Sequence, residues 1–433
     1  MKQGLAKSLH LIKNDFVRSV TVLMSGTMLS QMAIILVTPI LTRIYGPEEF
    51  GVYAVYTAIL YTVSIIASLH YETAIPLPKE DSDSINIMVV ALIILCGTIL
   101  FISLCMILFL QPLIDLFRIQ NFATYLYGLP LSILGLGMFQ VFQLWALRQE
   151  KYSNIAKGRV RMNITQISSQ VGLGIISNTG GFLIAGEVLG RMIGGLGLAY
   201  SFKKDILTSI NHISWKKIKS MAIRYKNFPL ISSWSSVLEG LSNHIPTFFI
   251  AGTLGVKAAG WYLIAGRILA LPEAILGYSV KQVYLAKAAK LLHQSFSEFL
   301  MLFWTTVKKL ILIACIVFTF ISILSPSVFP IVFGNEWKEA GTYVLCMCVL
   351  YFIQFIVVPI STNFYLLELL HMQIFVEAGR LILLLAGILY ANYFLTEAWQ
   401  IILCMSIAGS FGSLLVGIAS WYSTSYYRKK LTL

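Results

Sequence analysis

The chain has 433 residues, of which 58% are hydrophobic and only 12% charged. A water-soluble domain carries about twice that charge, so a soluble enzyme and a disordered chain are both excluded. Lys and Arg outnumber Asp and Glu by 32 to 19, but they form no hydrophilic module of the kind a nucleic-acid binder uses.

A helix that crosses about 30 Å of hydrocarbon takes about 20 apolar residues. Hydrophobic runs predict six such helices in the first half, at 18–41, 52–69, 85–110, 122–147, 160–178 and 182–202. Six more follow at 229–253, 258–280, 305–333, 340–366, 372–395 and 398–422. The expected fold is therefore an all-α integral membrane protein of about twelve transmembrane helices. Lys2, Lys7 and Lys13 precede the first run without a small-residue cleavage site after it, so that run reads as an uncleaved helix. The fifth helix is unusually polar, with Asn163, Thr165, Gln166, Ser168, Ser169 and Gln170. Lipid tolerates such a helix only where it faces a watery cavity or other helices.

Between the sixth and seventh helices lies the longest hydrophilic stretch. Its Ile206, Ile210, Ile213, Ile218 and Met221 recur near helical spacing among Lys216, Lys217 and Lys219. This predicts an amphipathic helix on the cytoplasmic membrane surface. It divides the chain into an N-terminal lobe at 1–205, a linker at 206–228 and a C-terminal lobe at 229–433.

The two lobes repeat one another. Gly46-x4-Gly51-Val52-Tyr53 follows the first helix, and Gly255-x4-Gly260-Trp261-Tyr262 follows the seventh, 209 residues on. Gly158-Arg159 in the fifth helix recurs as Gly379-Arg380 in the eleventh, 221 residues on. Six helices per half give both halves one orientation, as in two-lobed transporters that bind substrate in a central cavity. With the N-terminus cytoplasmic, 25 of the 32 basic residues fall on the inside. The outer loops carry only Arg43, Arg118, Lys257 and Lys338. Loops rich in Lys and Arg stay on the cytoplasmic side, so both termini are expected there.

Charged residues at bilayer depth are costly and commonly functional. Here they are Glu187 and Arg191 in the sixth helix, Glu239 in the seventh, Arg267 in the eighth, and Glu377 with Arg380 in the eleventh. They are expected to line a hydrated cavity, or else to pair and hold helices together. No Walker A loop is present, and the histidines form no metal-binding spacing.

The segment Pro39-Ile40-Leu41-Thr42-Arg43-Ile44-Tyr45-Gly46-Pro47-Glu48-Glu49-Phe50-Gly51, preceded by Ser25-Gly26-Thr27, resembles the opening of Wzx-type polysaccharide flippases. These belong to the multidrug/oligosaccharidyl-lipid/polysaccharide (MOP) exporter superfamily. The resemblance continues in His70-Tyr71-Glu72-Thr73-Ala74-Ile75-Pro76-Leu77-Pro78, Asn227-Phe228-Pro229, Gly260-Trp261-Tyr262 with Arg267, and Phe333-Gly334-Asn335-Glu336-Trp337. At His70 the chain departs from the family, which often has Arg there.

The resemblance implies translocation of undecaprenyl-diphosphate-linked oligosaccharide, an O-antigen or similar repeat unit, across the bacterial cytoplasmic membrane. Arg191, Arg267 and Arg380 would then meet the diphosphate, with Arg43, Arg159 and Arg161 adding positive charge nearer the two mouths. No cofactor is implied. The drive would be an H⁺ or Na⁺ gradient, with Glu187, Glu239 and Glu377 as candidate carriers. Implied partners are the lipid-linked oligosaccharide, membrane lipids, and the polysaccharide polymerase and chain-length regulator. The rival functions are a multidrug or organic-cation antiporter of the same superfamily and a membrane enzyme of glycan assembly.

Overall fold

The computed structural model describes Gly26 and residues 28–117, 122–367 and 369–431. Arg118 and the predicted start of the first helix, from 18 to 25, lie outside these. Among the described residues there is no strand, and the helices follow the predicted order. The long ones are α1 (Met28–Ile44), α2 (Pro47–Ser64), α3 (Asp81–Phe117), α4 (Leu129–Arg148), α5 (Tyr152–Ile176), α6 (Gly180–Tyr200) and α7 (Trp215–Arg224). They continue with α8 (Ser233–Thr253), α9 (Val256–Leu269), α10 (Tyr278–Gln294), α11 (Phe296–Phe333), α12 (Lys338–Ile360), α13 (Leu370–Phe394) and α14 (Ala398–Leu431). The protein is an all-α polytopic membrane protein.

Seven of the described helices are both long and apolar enough to span unaided. The others fall short for reasons written in their residues. Helix α5 carries its row of amides and hydroxyls, and α8 carries Glu239, Asn243, His244 and Pro246. The predicted eighth helix at 258–280 is interrupted. Helix α9 stops at Leu269, and a π-turn over Glu273–Gly277 leads into α10. Pro272 lies in the break, where a missing N–H removes a helical hydrogen bond.

The chain packs as two compact units. The first gathers the described residues up to Leu41, Val63–Asp115, and the described residues from 122 to Ser233, while Thr42–Thr62, Leu116 with Phe117, and the chain from Trp234 belong to the second. The main differences from a division at 205 and 228 are that α2 packs with the C-terminal helices and that 206–228 is part of the first unit.

The reason for the first difference is local. Gly51 of α2 lies so close to the Val256 carbonyl that a β-carbon would overlap it, and Gly260 lies equally close to the Pro47 carbonyl. Phe50 stands edge-on to Trp337 at 5.2 Å, and the Trp337 indole donates to the Thr42 carbonyl at 3.1 Å. The Trp261 indole donates to the Glu336 carbonyl at 2.8 Å. Three of the family-like motifs thus meet in one corner of the second unit, where they shape packing.

The second difference has a similar cause. Part of the apolar side of α7 packs on protein: Met221 is buried, and Ile218 and Ala222, with Ile213 and Tyr225 flanking the helix, pack on a core that includes Trp145, Phe142 and Phe202. Trp215 and Ile223 stay exposed. Tyr71 donates its hydroxyl to the Ala222 carbonyl at 2.9 Å. Arg148 ties down the 76–81 turn, donating to the carbonyls of Pro76 and Pro78 at 3.3 and 2.6 Å and pairing with Asp81 at 2.8 Å. Helix α7 therefore closes a core.

Candidate functional site

The second unit encloses a cavity of about 470 Å³, within the ~300–1,000 Å³ range of small-molecule sites. Its walls are helical stripes. Glu239, Ser242, Asn243 and Pro246 come from α8, and Tyr351, Gln354 and Val358 from α12. Gln373, Glu377, Arg380 and Leu384 come from α13, and Ser406, Gly409 and Ser413 from α14. Spacings of three, four and seven residues put each set on one helix face. Tyr262, Glu273 and Lys281 complete the lining.

Five charged side chains face this space: Glu239, Glu273, Glu377, Lys281 and Arg380. Arg380 is the best positioned. Its side chain lies along Gly412 of α14, where a β-carbon would come within 2.7 Å of its Cγ. One guanidinium nitrogen donates to the Asn243 side-chain oxygen at 2.9 Å, and another lies 3.5 Å from Glu377. The second distance is longer than the ~2.7–2.9 Å of a tight charge-assisted bond. Arg380 is therefore held in place by an amide while its carboxylate partner grips it loosely. His244 lines the cavity as well and stacks on Tyr61 at 6.0 Å.

Of the residues singled out in the sequence, Arg380, Glu239 and Glu377 meet here. Arg267 is half-buried on α9 and does not line the cavity. Tyr262 on the same helix does, and five residues further on is ~140° round the helix. Arg43 is exposed, donating to the Ile331 carbonyl at 3.5 Å. Arg159 donates to the Gln143 side-chain oxygen at 3.2 Å, and Arg161 is exposed on α5.

The structure places Glu187 and Arg191 in the first unit, in the seam between α5 and α6. Glu187 is 0% exposed and Arg191 8%. Arg191 Nε donates to Glu187 at 2.7 Å, and the Gln166 amide donates to the other carboxylate oxygen at 2.5 Å. Gln170 donates to the Leu183 carbonyl at 2.9 Å. Gly186, Gly190 and Gly194 of α6 press against Gln170, Gln166 and Met162 of α5. Small residues at this spacing let helix backbones approach closely in lipid. The polar helix is thus accommodated by another helix.

Sequence reasoning missed Glu273, Lys281, Asn243 and the cavity tyrosines. Lys281 reads as a loop charge in the sequence, and Glu273 stands beside the helix-breaking Pro272. A carboxylate next to a proline within an apolar run was the available signal.

The family model for polysaccharide biosynthesis protein matches residues 40–342. No curated protein sequence matches the chain. Among solved structures it is similar to the inward-facing conformation of a multidrug resistance MATE family transporter of the MOP superfamily, at TM-score 0.74 and 15% identity over 94% of each chain. The outward-facing conformation of a multidrug resistance MATE family transporter of that superfamily gives TM-score 0.64 at 15% identity, covering 95% of this chain and 96% of the other. A MOP superfamily transporter from Pyrococcus furiosus, described as having reverse polarity of its binding pocket, gives TM-score 0.54 at 13% identity, covering 95% and 96%. An all-helical membrane fold and a polar cavity with charges of both signs agree with these likenesses: the chain belongs to the polysaccharide biosynthesis protein family and has the fold of MOP superfamily transporters.

Proposed function

We propose that this protein is a membrane transporter, a flippase that carries an undecaprenyl-diphosphate-linked oligosaccharide, an O-antigen or similar repeat unit, across the bacterial cytoplasmic membrane by alternating access. The family supports a polysaccharide precursor as cargo. The observation that carries the reading is the cavity, which offers amides, hydroxyls and tyrosines to a glycan and Arg380 with Lys281 to an anion. Moving a glycan and a charged diphosphate through hydrocarbon unaided is prohibitive, whereas a polar cavity replaces their hydration.

The loose Glu377–Arg380 contact gives the transporter a means of coupling. A proton on Glu377 removes the carboxylate's hold and leaves the Arg380 guanidinium free to take phosphate in bidentate fashion. Proton uptake and headgroup binding then favour each other. Glu239 and Glu273 face the same space and can share the proton, and Na⁺ is the alternative coupling ion.

In a clean deletion, mature surface polysaccharide should disappear while lipid-linked repeat units accumulate on the cytoplasmic leaflet. Normal polymer with no second flippase present would overturn the reading. Reporters within 203–228 or at the C-terminus should read cytoplasmic, and those at 178–181 or 334–339 periplasmic. One observation favours a second reading. Three cavity carboxylates face two basic side chains, which suits export of an organic cation. Cells carrying the protein should then extrude a fluorescent cation, which the flippase reading does not require.

A further inference from the structure

Arg161 is exposed on α5 and borders two apolar grooves of the first unit. One, of about 630 Å³, follows the end of α6 and is walled by Ile193, Leu196, Tyr200, Ile206 and Leu207. The other, of about 730 Å³, lies between α1 and α5 and is walled by Met28, Leu29, Met32, Ala156 and Val160. The arginine lies where the two meet. Lys203 borders the first groove and Lys157 the second.

The placement of the guanidinium depends on the sequence of α6. It lies across Gly197, so closely that any β-carbon there would overlap it. Lys203 Nζ stands 5.8 Å from the centre of the Tyr200 ring. None of the ion pairs among the described residues involves Arg161, Lys157 or Lys203. Among the described residues, three cations beside apolar walls thus have no ion-pair partner there. Such groups at a membrane surface attract anionic headgroups, and a guanidinium matches phosphate bidentately.

The two grooves decide which phosphate. A polyprenyl carrier has one chain for its phosphate, whereas a glycerophospholipid has two. We propose that Arg161 holds the phosphate of an anionic diacyl phospholipid from the surrounding bilayer, with one acyl chain in each groove. Lys157 and Lys203 favour a headgroup of net negative charge over a zwitterionic one. This lipid is a bound structural partner of the first unit, separate from whatever the cavity in the second unit carries.

Purified, delipidated protein exposed to phosphatidylglycerol or phosphatidylcholine tests this by native mass spectrometry. Phosphatidylglycerol should be retained preferentially, and Arg161→Ala should weaken its retention roughly fivefold or more, with Arg161→Lys intermediate. A phosphatidylglycerol bearing diazirines in both chains should crosslink the wild-type protein at Leu196 or Leu207 and also at Met28 or Met32. The crosslink requires no variant, so a misfolded Arg161→Ala leaves the test intact. Equal retention of the two lipids, crosslinks confined to one groove, or loss of the crosslinks when a polyprenyl diphosphate is added would each overturn the proposal. The last outcome would assign the grooves to the transported lipid. Loss of surface polysaccharide in a deletion strain bears only on the transport reading.

Discussion

Gly51 and Gly260 occupy equivalent repeat positions, and each lies against the backbone of the other copy. Gly51 abuts the Val256 carbonyl and Gly260 abuts the Pro47 carbonyl, and both Pro47/Val256 and Gly51/Gly260 are 209 residues apart. The two copies of the repeat therefore cross at equivalent positions, each glycine making room for the other copy's backbone. Backbone cannot rotate away as a side chain can. Gly51→Ala or Gly260→Ala should destabilise the protein by about 1–3 kcal/mol or more, read as a lower melting temperature in detergent. Gly97→Ala and Gly172→Ala, where a β-carbon meets nothing within 4 Å, should be neutral or stabilising by up to ~1 kcal/mol.

Removing one member of the buried Glu187–Arg191 pair leaves the other charge in low dielectric. Arg191→Ala should cost about 3–5 kcal/mol and lower the amount of protein in the membrane. Replacing both, Glu187→Leu with Arg191→Met, should restore most of that amount, and transport with it. A stable but inactive double variant would instead give the pair a role in transport.

Cavity and seam positions should differ in water access. In a cysteine-free background, a cysteine at 380 should react with a membrane-impermeant thiol reagent and one at 191 should not. Arg380→Ala should abolish transport with the protein still present, Arg380→Lys should retain part of it, and Asn243→Ala should impair it by releasing the guanidinium. Full transport in Arg380→Ala would remove the arginine from the mechanism.

If Glu377 carries the coupling proton as proposed, its protonation frees Arg380, and binding of a diphosphate headgroup should strengthen as pH falls. Equilibrium binding of a soluble-chain diphosphate analogue across pH measures this. Glu377→Gln should flatten the profile at the tight-binding end. Glu239→Gln, His244→Gln and Glu273→Gln should leave most of the slope. A profile unchanged in Glu377→Gln would move the coupling to one of those groups.

Much was legible in the sequence because membrane folding leaves large one-dimensional signals. Apolar runs, a skewed distribution of Lys and Arg, and a recurring Gly-x4-Gly after equivalent helices gave the helix order and the two-fold repeat. Buried charges announced themselves by being present in such runs at all. What the runs did not carry was facing. Arg191 and Arg380 look alike in sequence, each a lone arginine four or three residues after a glutamate. One is sealed between α5 and α6, and the other opens onto a cavity.

The amino-acid sequence by itself determined the membrane class, the helix order and the repeat, since these follow from hydropathy and composition along the chain. Tertiary structure alone decided that α2 packs with the C-terminal helices, that α7 closes a protein core, and that Glu273 and Lys281 join Arg380 in one cavity. Facing depends on which helices become neighbours. That choice rests on close backbone approaches at a few glycines, which spacing along one chain does not specify.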